Sequence, residues 1–225
     1  MLTGSLILFP LILSVVLLSA GERLPVKPIA LAGSLIEFLL SLYALFVYMT
    51  QCHCQLLLEA GQGDMPLLSL RFGMDGLSMI MVLLTAFLVP VAILSSFQHE
   101  YSRSPAFYVL MLFMETAFIG TFMALNGWMF CLFWIMTLAA AYLLAALWGG
   151  SDWRRNMKRF FFYTFPGCLA LLGGLIYLFY KTPLPHSFDM RFLYGAVLTP
   201  SGQGLVFCLF FLGFAVLAGA FPFHG

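Results

Sequence analysis

Met74–Phe97 reads MDGLSMIMVLLTAFLVPVAILSSF, a run whose only charge, Asp75, stands at its start. A helix needs roughly 20 apolar residues to cross about 30 Å of hydrocarbon, and this run supplies them without a charged break. Six further stretches read the same way: 3–20, 28–49, 104–125, 128–149, 160–180 and 204–221. In lipid the backbone must satisfy its own hydrogen bonds, and these stretches are too long and too uniformly apolar for barrel strands. The expected fold class is all-α: a polytopic membrane helix bundle of about seven transmembrane helices.

Composition supports this reading. The chain is 63% hydrophobic and 8% charged, with a mean hydropathy of +1.02, whereas a soluble domain carries about 25% charged residues. All ten basic residues lie between or at the edges of the seven stretches. Three acids do not: Glu37 and Glu115 fall within stretches, and Asp75 sits at the mouth of one. An ionisable group in hydrocarbon costs a few kcal/mol, so each marks an ion path or a structural pair.

Loop charges set an orientation. Ser151–Arg159 carries Arg154, Arg155, Lys158 and Arg159 and is expected on the cytoplasmic side. Alternation adds Arg23, Lys27 and Arg103 to that side and leaves Arg71, Lys181 and Arg191 outside. The N-terminus then lies outside, in a bacterial-type inner membrane. The first stretch has no basic residue before its apolar run and reads as a retained helix, not a cleaved signal.

The connections are mostly short. Gly21–Lys27 joins the first two helices, with Pro25 and Pro28 as stop and start signals. Thr50–Phe72 is the longest polar connection of the N-terminal part, Leu125-Asn126-Gly127 is a tight hairpin, and Lys181–Gln203 holds Pro183, Pro185 and Pro200. Cys52-His53-Cys54 offers three donors at a spacing too tight for structural zinc, so it reads as a polar helix end and no metal is expected. Cys131, Cys168 and Cys208 read as small hydrophobes. With no phosphate loop, dinucleotide fingerprint or cluster-type cysteine spacing, the chain is expected to hold no cofactor, perform no redox catalysis and bind no nucleic acid.

The last stretch is smooth from Phe207 to Leu217 and then reads Ala218-Gly219-Ala220-Phe221-Pro222-Phe223-His224-Gly225. Gly and Pro this close in a membrane segment point to a broken helix, of the kind that lines cavities and hosts ion sites. A break there leads us to expect that the polypeptide continues past Gly225 or that a second chain completes the fold.

Four segments carry a family resemblance. Arg71-Phe72-Gly73-Met74-Asp75-Gly76-Leu77-Ser78 resembles the G-x-D-G-L-S opening of the third helix in the antiporter-like membrane subunits of respiratory complex I. Phe133-Trp134, Tyr142 and Trp148-Gly149-Gly150 resemble that family's F-W-E…P-x-Y…W-G-G fifth helix. Arg159-Phe160-Phe161-Phe162-Tyr163-Thr164 is similar to its K-F-F-x-Y-T sixth helix. Phe214-Ala215-Val216 with Pro222-Phe223-His224-Gly225 is similar to its broken F-A-V-K…P-x-H-x-W-L-P seventh helix. Within the family the subunit M type of proton-pumping NADH-quinone oxidoreductases matches best. The resemblance implies about fourteen helices in two inverted repeats, of which this chain holds the first seven. It would then be one membrane domain, 1–225, with helices 1–3 in 1–97 and the incomplete first repeat in 104–225.

The departures fall on the chemistry. Where the resemblance implies a glutamate after Phe-Trp, the chain has Ile135; where it implies a lysine after Phe-Ala-Val, the chain has Leu217. The two accompanying prolines are replaced by Ala140 and Gly219. In the family that acid and base are coupled, the glutamate's charge modulating the lysine. Losing one partner alone would strand a buried charge, while replacing both by aliphatics removes that cost.

Glu115, in mid-span, is a proton-path candidate by resemblance, against a reading as a carboxyl hydrogen-bonded to a neighbouring helix. Glu37 is a second candidate, against a structural pair or a contact with an adjacent subunit. His224 belongs to the broken-helix motif and is the third. Asp75 reads mainly as a helix cap, favoured at a helix N-terminus by the macrodipole.

The expectation is a membrane-arm subunit of a complex I-type NADH-quinone oxidoreductase, acting as a scaffold whose own proton half-channel is degenerate. Its partners would be other membrane-arm subunits and lipid. Two alternatives stay open: a component of a cation/proton antiporter, membrane-bound hydrogenase or inorganic-carbon uptake complex, and a non-transporting assembly subunit.

Overall fold

A computed structural model describes residues 2–21, 24–50, 56–60, 70–98, 104–182, 186–218 and 220, with the backbone alone at 56–60, 70, 104, 191 and 217. Eight helices follow one another among these residues: α1 Leu2–Ala20, α2 Val26–Thr50, α3 Gly76–Ser95, α4 Ser104–Met123, α5 Gly127–Trp148, α6 Trp153–Lys181, α7 Met190–Tyr194 and α8 Pro200–Leu217. The first six are long and apolar enough to cross a membrane; α8 is apolar and shorter. The chain is a polytopic helical membrane protein.

Each long helix turns an apolar face outward, as lipid requires. On α3, Leu77, Ile80, Leu84, Phe87, Leu88, Val91 and Leu94 are exposed, while Met79, Val82, Ala86, Val89 and Ile93 are buried. α4 is the most deeply buried span, and α1, α2, α3 and α5 all pack on it. One core joins Leu6, Phe72, Met79, Val82, Ile119, Met123 and Phe133; a second joins Leu17, Ala30, Ile93, Tyr108 and Leu112 near the other end. α6 and α8 form a tight pair of their own. Close approach there needs glycine: a Cβ on Gly213 would strike Leu171, and one on Gly174 would strike the Phe210 ring. Small residues at such crossings are how membrane helices pack.

Three sequence expectations require correction. The connection Thr50–Phe72 is not wholly irregular, because β1 Leu56–Ala60 pairs antiparallel with β2 Leu70–Met74, Leu56 facing Met74 and Ala60 facing Leu70. The bundle is therefore all-α in its spans, with one small hairpin at an end. The basic stretch Ser151–Arg159 is helical from Trp153, so Arg154, Arg155, Lys158 and Arg159 form the first two turns of α6, and Lys181 is its last residue. Long cationic side chains let a helix outrun the hydrocarbon and still hold their charges in the headgroup region. Lys27 likewise stands in the first turn of α2 and reaches toward the Phe97 carbonyl at 3.5 Å. The seventh span begins at Pro200, earlier than expected, with Thr199 as its cap. The break expected beyond Leu217 falls largely on 219 and 221–225, outside the described residues.

One end of the bundle is knitted by backbone pairing. Phe72 bridges Ala124 and Asn126 bridges Asp189, with Leu125 N–H donating to the Arg71 carbonyl at 3.0 Å and Met190 N–H to the Leu125 carbonyl at 3.1 Å. The α4–α5 turn is thus held between β2 and the segment before α7.

Candidate functional site

Two acids meet in the middle of the bundle. Glu37 lies eleven residues from the start of α2 and Glu115 eleven from the start of α4, each about 16 Å along its helix at 1.5 Å per residue. Both side chains are 0% exposed. Glu37 is close enough for its charge to act on Glu115. Among the described residues, none of the four carboxyl oxygens has a hydrogen-bond partner.

The surroundings explain why. Ser34 and Ser41 lie three residues before and four after Glu37, on its own face of α2, and both are fully buried. Their hydroxyls donate backward within the helix, Ser34 Oγ to the Leu31 carbonyl at 3.0 Å and Ser41 Oγ to the Phe38 carbonyl at 2.7 Å. Thr116, beside Glu115, donates to the Leu112 carbonyl at 3.0 Å. Each of the three hydroxyls is thus engaged by a backbone carbonyl of its own helix and not by a carboxyl. The Ser34-Glu37-Ser41 spacing was a signal in the sequence. The facing of α2 and α4, which brings the acids together, was not.

The family positions sit elsewhere. Ile135 is 50% exposed and lines an apolar groove of about 880 Å³ between α5 and α6, together with Tyr142, Phe161, Phe165 and Cys168; Arg154 and Lys158 also border it. Leu217 closes α8, and only its backbone is described. Neither aliphatic can titrate, so this region has no acid–base pair from 135 and 217.

Asp75 caps α3. Its Oδ1 accepts from the Ser78 N–H at 2.8 Å, satisfying one of the orphan donors of the first turn. That bond holds the Asp75 carboxyl below its ordinary range. His224, Cys52, His53 and Cys54 lie outside the described residues. Sequence reasoning missed a further acid: Asp189, 2% exposed, pairs with Arg71 of β2. No periodicity signals a contact between residues so far apart.

No protein-family model matches the chain. It is 34% identical over 229 residues to the F(420)H(2) dehydrogenase subunit M of Methanosarcina mazei, covering 97% of this chain and 46% of that protein. It is 31% identical over 204 residues to the NADH-quinone oxidoreductase subunit M of Rickettsia typhi, covering 88% of this chain and 40% of that one. Among solved structures, a chain of respiratory complex I from Thermus thermophilus with bound NADH superposes with a TM-score of 0.86 at 26% identity, over 100% of this chain and 45% of that chain. The chain spans somewhat under half the length of these relatives. Taken with the helical membrane fold, these likenesses place the chain in the family of antiporter-like membrane subunits to which the complex I subunit M proteins belong.

Proposed function

We propose that this chain serves in the membrane arm of a complex I-type oxidoreductase as a scaffold that lacks the family's own proton half-channel. The observation that carries this is Ile135, an aliphatic exposed on the α5–α6 groove where the resemblance implies the channel's acid. With Leu217 at the matching base position of α8, positions 135 and 217 supply no switchable ion pair of the kind that moves a proton. Asp75 is committed to capping. Glu37 and Glu115 are buried without a hydrogen-bond partner among the described residues, and His224 is a relay candidate from the motif alone. The subunit would sit with its N-terminus outside and 151–159 on the cytoplasmic side. Its partners would be neighbouring membrane subunits, with redox chemistry carried by other chains.

Purification of the chain with its native partners, followed by mass-spectrometric identification, tests the assignment. The proposal expects other antiporter-like membrane subunits together with iron–sulfur or flavin proteins of a peripheral arm. Recovery with transport proteins only, or with no other membrane subunit, would overturn it.

A further inference from the structure

The groove of about 880 Å³ between α5 and α6 has a second property besides the presence of Ile135. α6 packs closely on α8 and only loosely on α5, so α5 and α6 splay and leave a concavity between them. Its walls are apolar along most of their length, with Tyr142 and Leu143 from α5 and Phe161, Phe165 and Cys168 from α6. Its volume lies within the roughly 300–1,000 Å³ of sites that hold small organic ligands. The exposed face of α3 is equally apolar, but that helix bears no basic residue. The α5–α6 groove does.

Arg154 and Lys158 border one end of it. They stand four residues apart on one face of α6, and the same stripe runs on through Phe161, Phe165, Cys168 and Leu172. Cys168 lies about 21 Å along the helix from Arg154 at 1.5 Å per residue. α6 has 29 residues, about 44 Å of helix against about 30 Å of hydrocarbon. Its basic first turns therefore reach the headgroup level while the rest of the groove lies at the depth of acyl chains. Among the described residues neither Arg154 nor Lys158 joins an ion pair. The acid nearest in sequence, Asp152, is exposed and pairs with neither. The two cations at the mouth thus have no protein counter-charge among the described residues, and Arg155 and Arg159 do not line the groove.

We propose that the α5–α6 groove binds an anionic phospholipid, with the phosphate held by Arg154 and Lys158 and an acyl chain laid along Phe161, Phe165 and Cys168 toward Ile135. Basic pockets between membrane helices receive anionic headgroups in this way. Arg154 supplies a planar fork suited to two phosphate oxygens and Lys158 a point charge. Charge complementarity selects this occupant. A wholly apolar helix would fill the walls and leave two cations unanswered at the mouth. A free phosphate would answer the cations and leave the apolar walls uncovered. A phospholipid satisfies both parts at once. No proton transfer enters the site, so it does not depend on the scaffold reading.

A photoactivatable lipid tests this in the native membrane assembly containing the full chain. The assembly is reconstituted into phosphatidylcholine vesicles holding a small fraction of phosphatidylglycerol with a diazirine on its acyl chain. A parallel sample holds phosphatidylcholine with the same diazirine, and labelled peptides are located by mass spectrometry. The expected result is labelling within 135–143 and 157–172, with the anionic probe preferred. Each cation is worth roughly fivefold in occupancy. Arg154→Gln or Lys158→Gln alone should lower labelling by the anionic probe by about that factor, and the two together should erase its preference. Arg155→Gln with Arg159→Gln removes the same charge away from the groove and should leave the preference in place. Ala139→Trp, which adds bulk to the groove wall, should reduce labelling by both probes. Equal labelling of the parent by the two probes would overturn the proposal, marking an ordinary lipid-facing surface. So would equal losses in the two double variants, which would show a response to overall charge and not to a site. Protection of the whole groove from both probes would overturn it as well, because a protein helix would then cover it. An unchanged yield of assembled complex checks folding in each variant.

Discussion

Arg71 and Asp189 lie 118 residues apart in sequence and form an ion pair that clamps β2 to the segment leading into α7. The pair is asymmetric: the Asp189 side chain is 2% exposed and that of Arg71 26%. Removing the arginine takes the counter-charge from a buried carboxylate, whereas removing the acid leaves a guanidinium that can reach water. Arg71→Ala is therefore expected to destabilise the fold by about 3 kcal/mol and Asp189→Ala by about 1–2 kcal/mol. Thermal unfolding in detergent, followed by tryptophan fluorescence, checks the order. Equal losses would show that the clamp is not limited by the buried acid.

The cap of α3 gives a pH dependence with a definite sign. Because the Asp75 carboxyl is held below its ordinary range in the folded chain, its contribution is complete above the usual aspartate pKa of about 3.9 and is lost as pH falls through the lowered value. Asp75→Ala is expected to cost about 1 kcal/mol near neutrality. At sufficiently acid pH parent and variant should converge. Denaturation midpoints measured across that range provide the check, and a difference that grows on acidification would contradict the cap.

How much of this was legible in the sequence follows from what hydropathy encodes. The spans were legible because seven apolar runs of membrane length, none holding a lysine or arginine, leave few other folds, and the G-x-D-G-L-S and broken-helix segments carry the family resemblance. Arg154, Arg155, Lys158 and Arg159 look like a loop to any apolar count, which places the start of α6 near 160, although their helix simply runs on into the interface. The β1–β2 hairpin and the Arg71–Asp189 clamp depend on pairing across long separations, which a single chain does not display. Glu37 and Glu115 were each visible as misplaced acids. Their meeting depends on which faces α2 and α4 turn to each other.

The α6–α8 crossing should be intolerant of added volume. Gly213→Leu would drive a side chain into Leu171, and Gly174→Leu would meet Phe210, for an expected cost of about 1–3 kcal/mol each. Gly173, which has open space around an added Cβ, serves as the control: Gly173→Ala should be neutral or slightly stabilising. Protease resistance of the α6–α8 region in membranes reads the difference.

Restoring the family residues one at a time should be worse than restoring both. Ile135→Glu alone introduces an unpaired acid into the membrane region, at a cost of about 3 kcal/mol, and is expected to lower the yield of assembled protein. Adding Leu217→Lys should recover part of that loss if the two positions face each other as the resemblance implies. A double-mutant cycle on thermal stability measures the coupling, and strict additivity would separate the two positions.

The central claim, that this subunit is a scaffold without its own working half-channel, is tested most directly by the proton-to-electron stoichiometry of the reconstituted assembly carrying Glu115→Gln. The account predicts the parent's stoichiometry at an unchanged electron-transfer rate, because Ile135 and Leu217 leave no channel for Glu115 to serve. A drop in protons moved per electron on this substitution alone, with the complex intact, would contradict it.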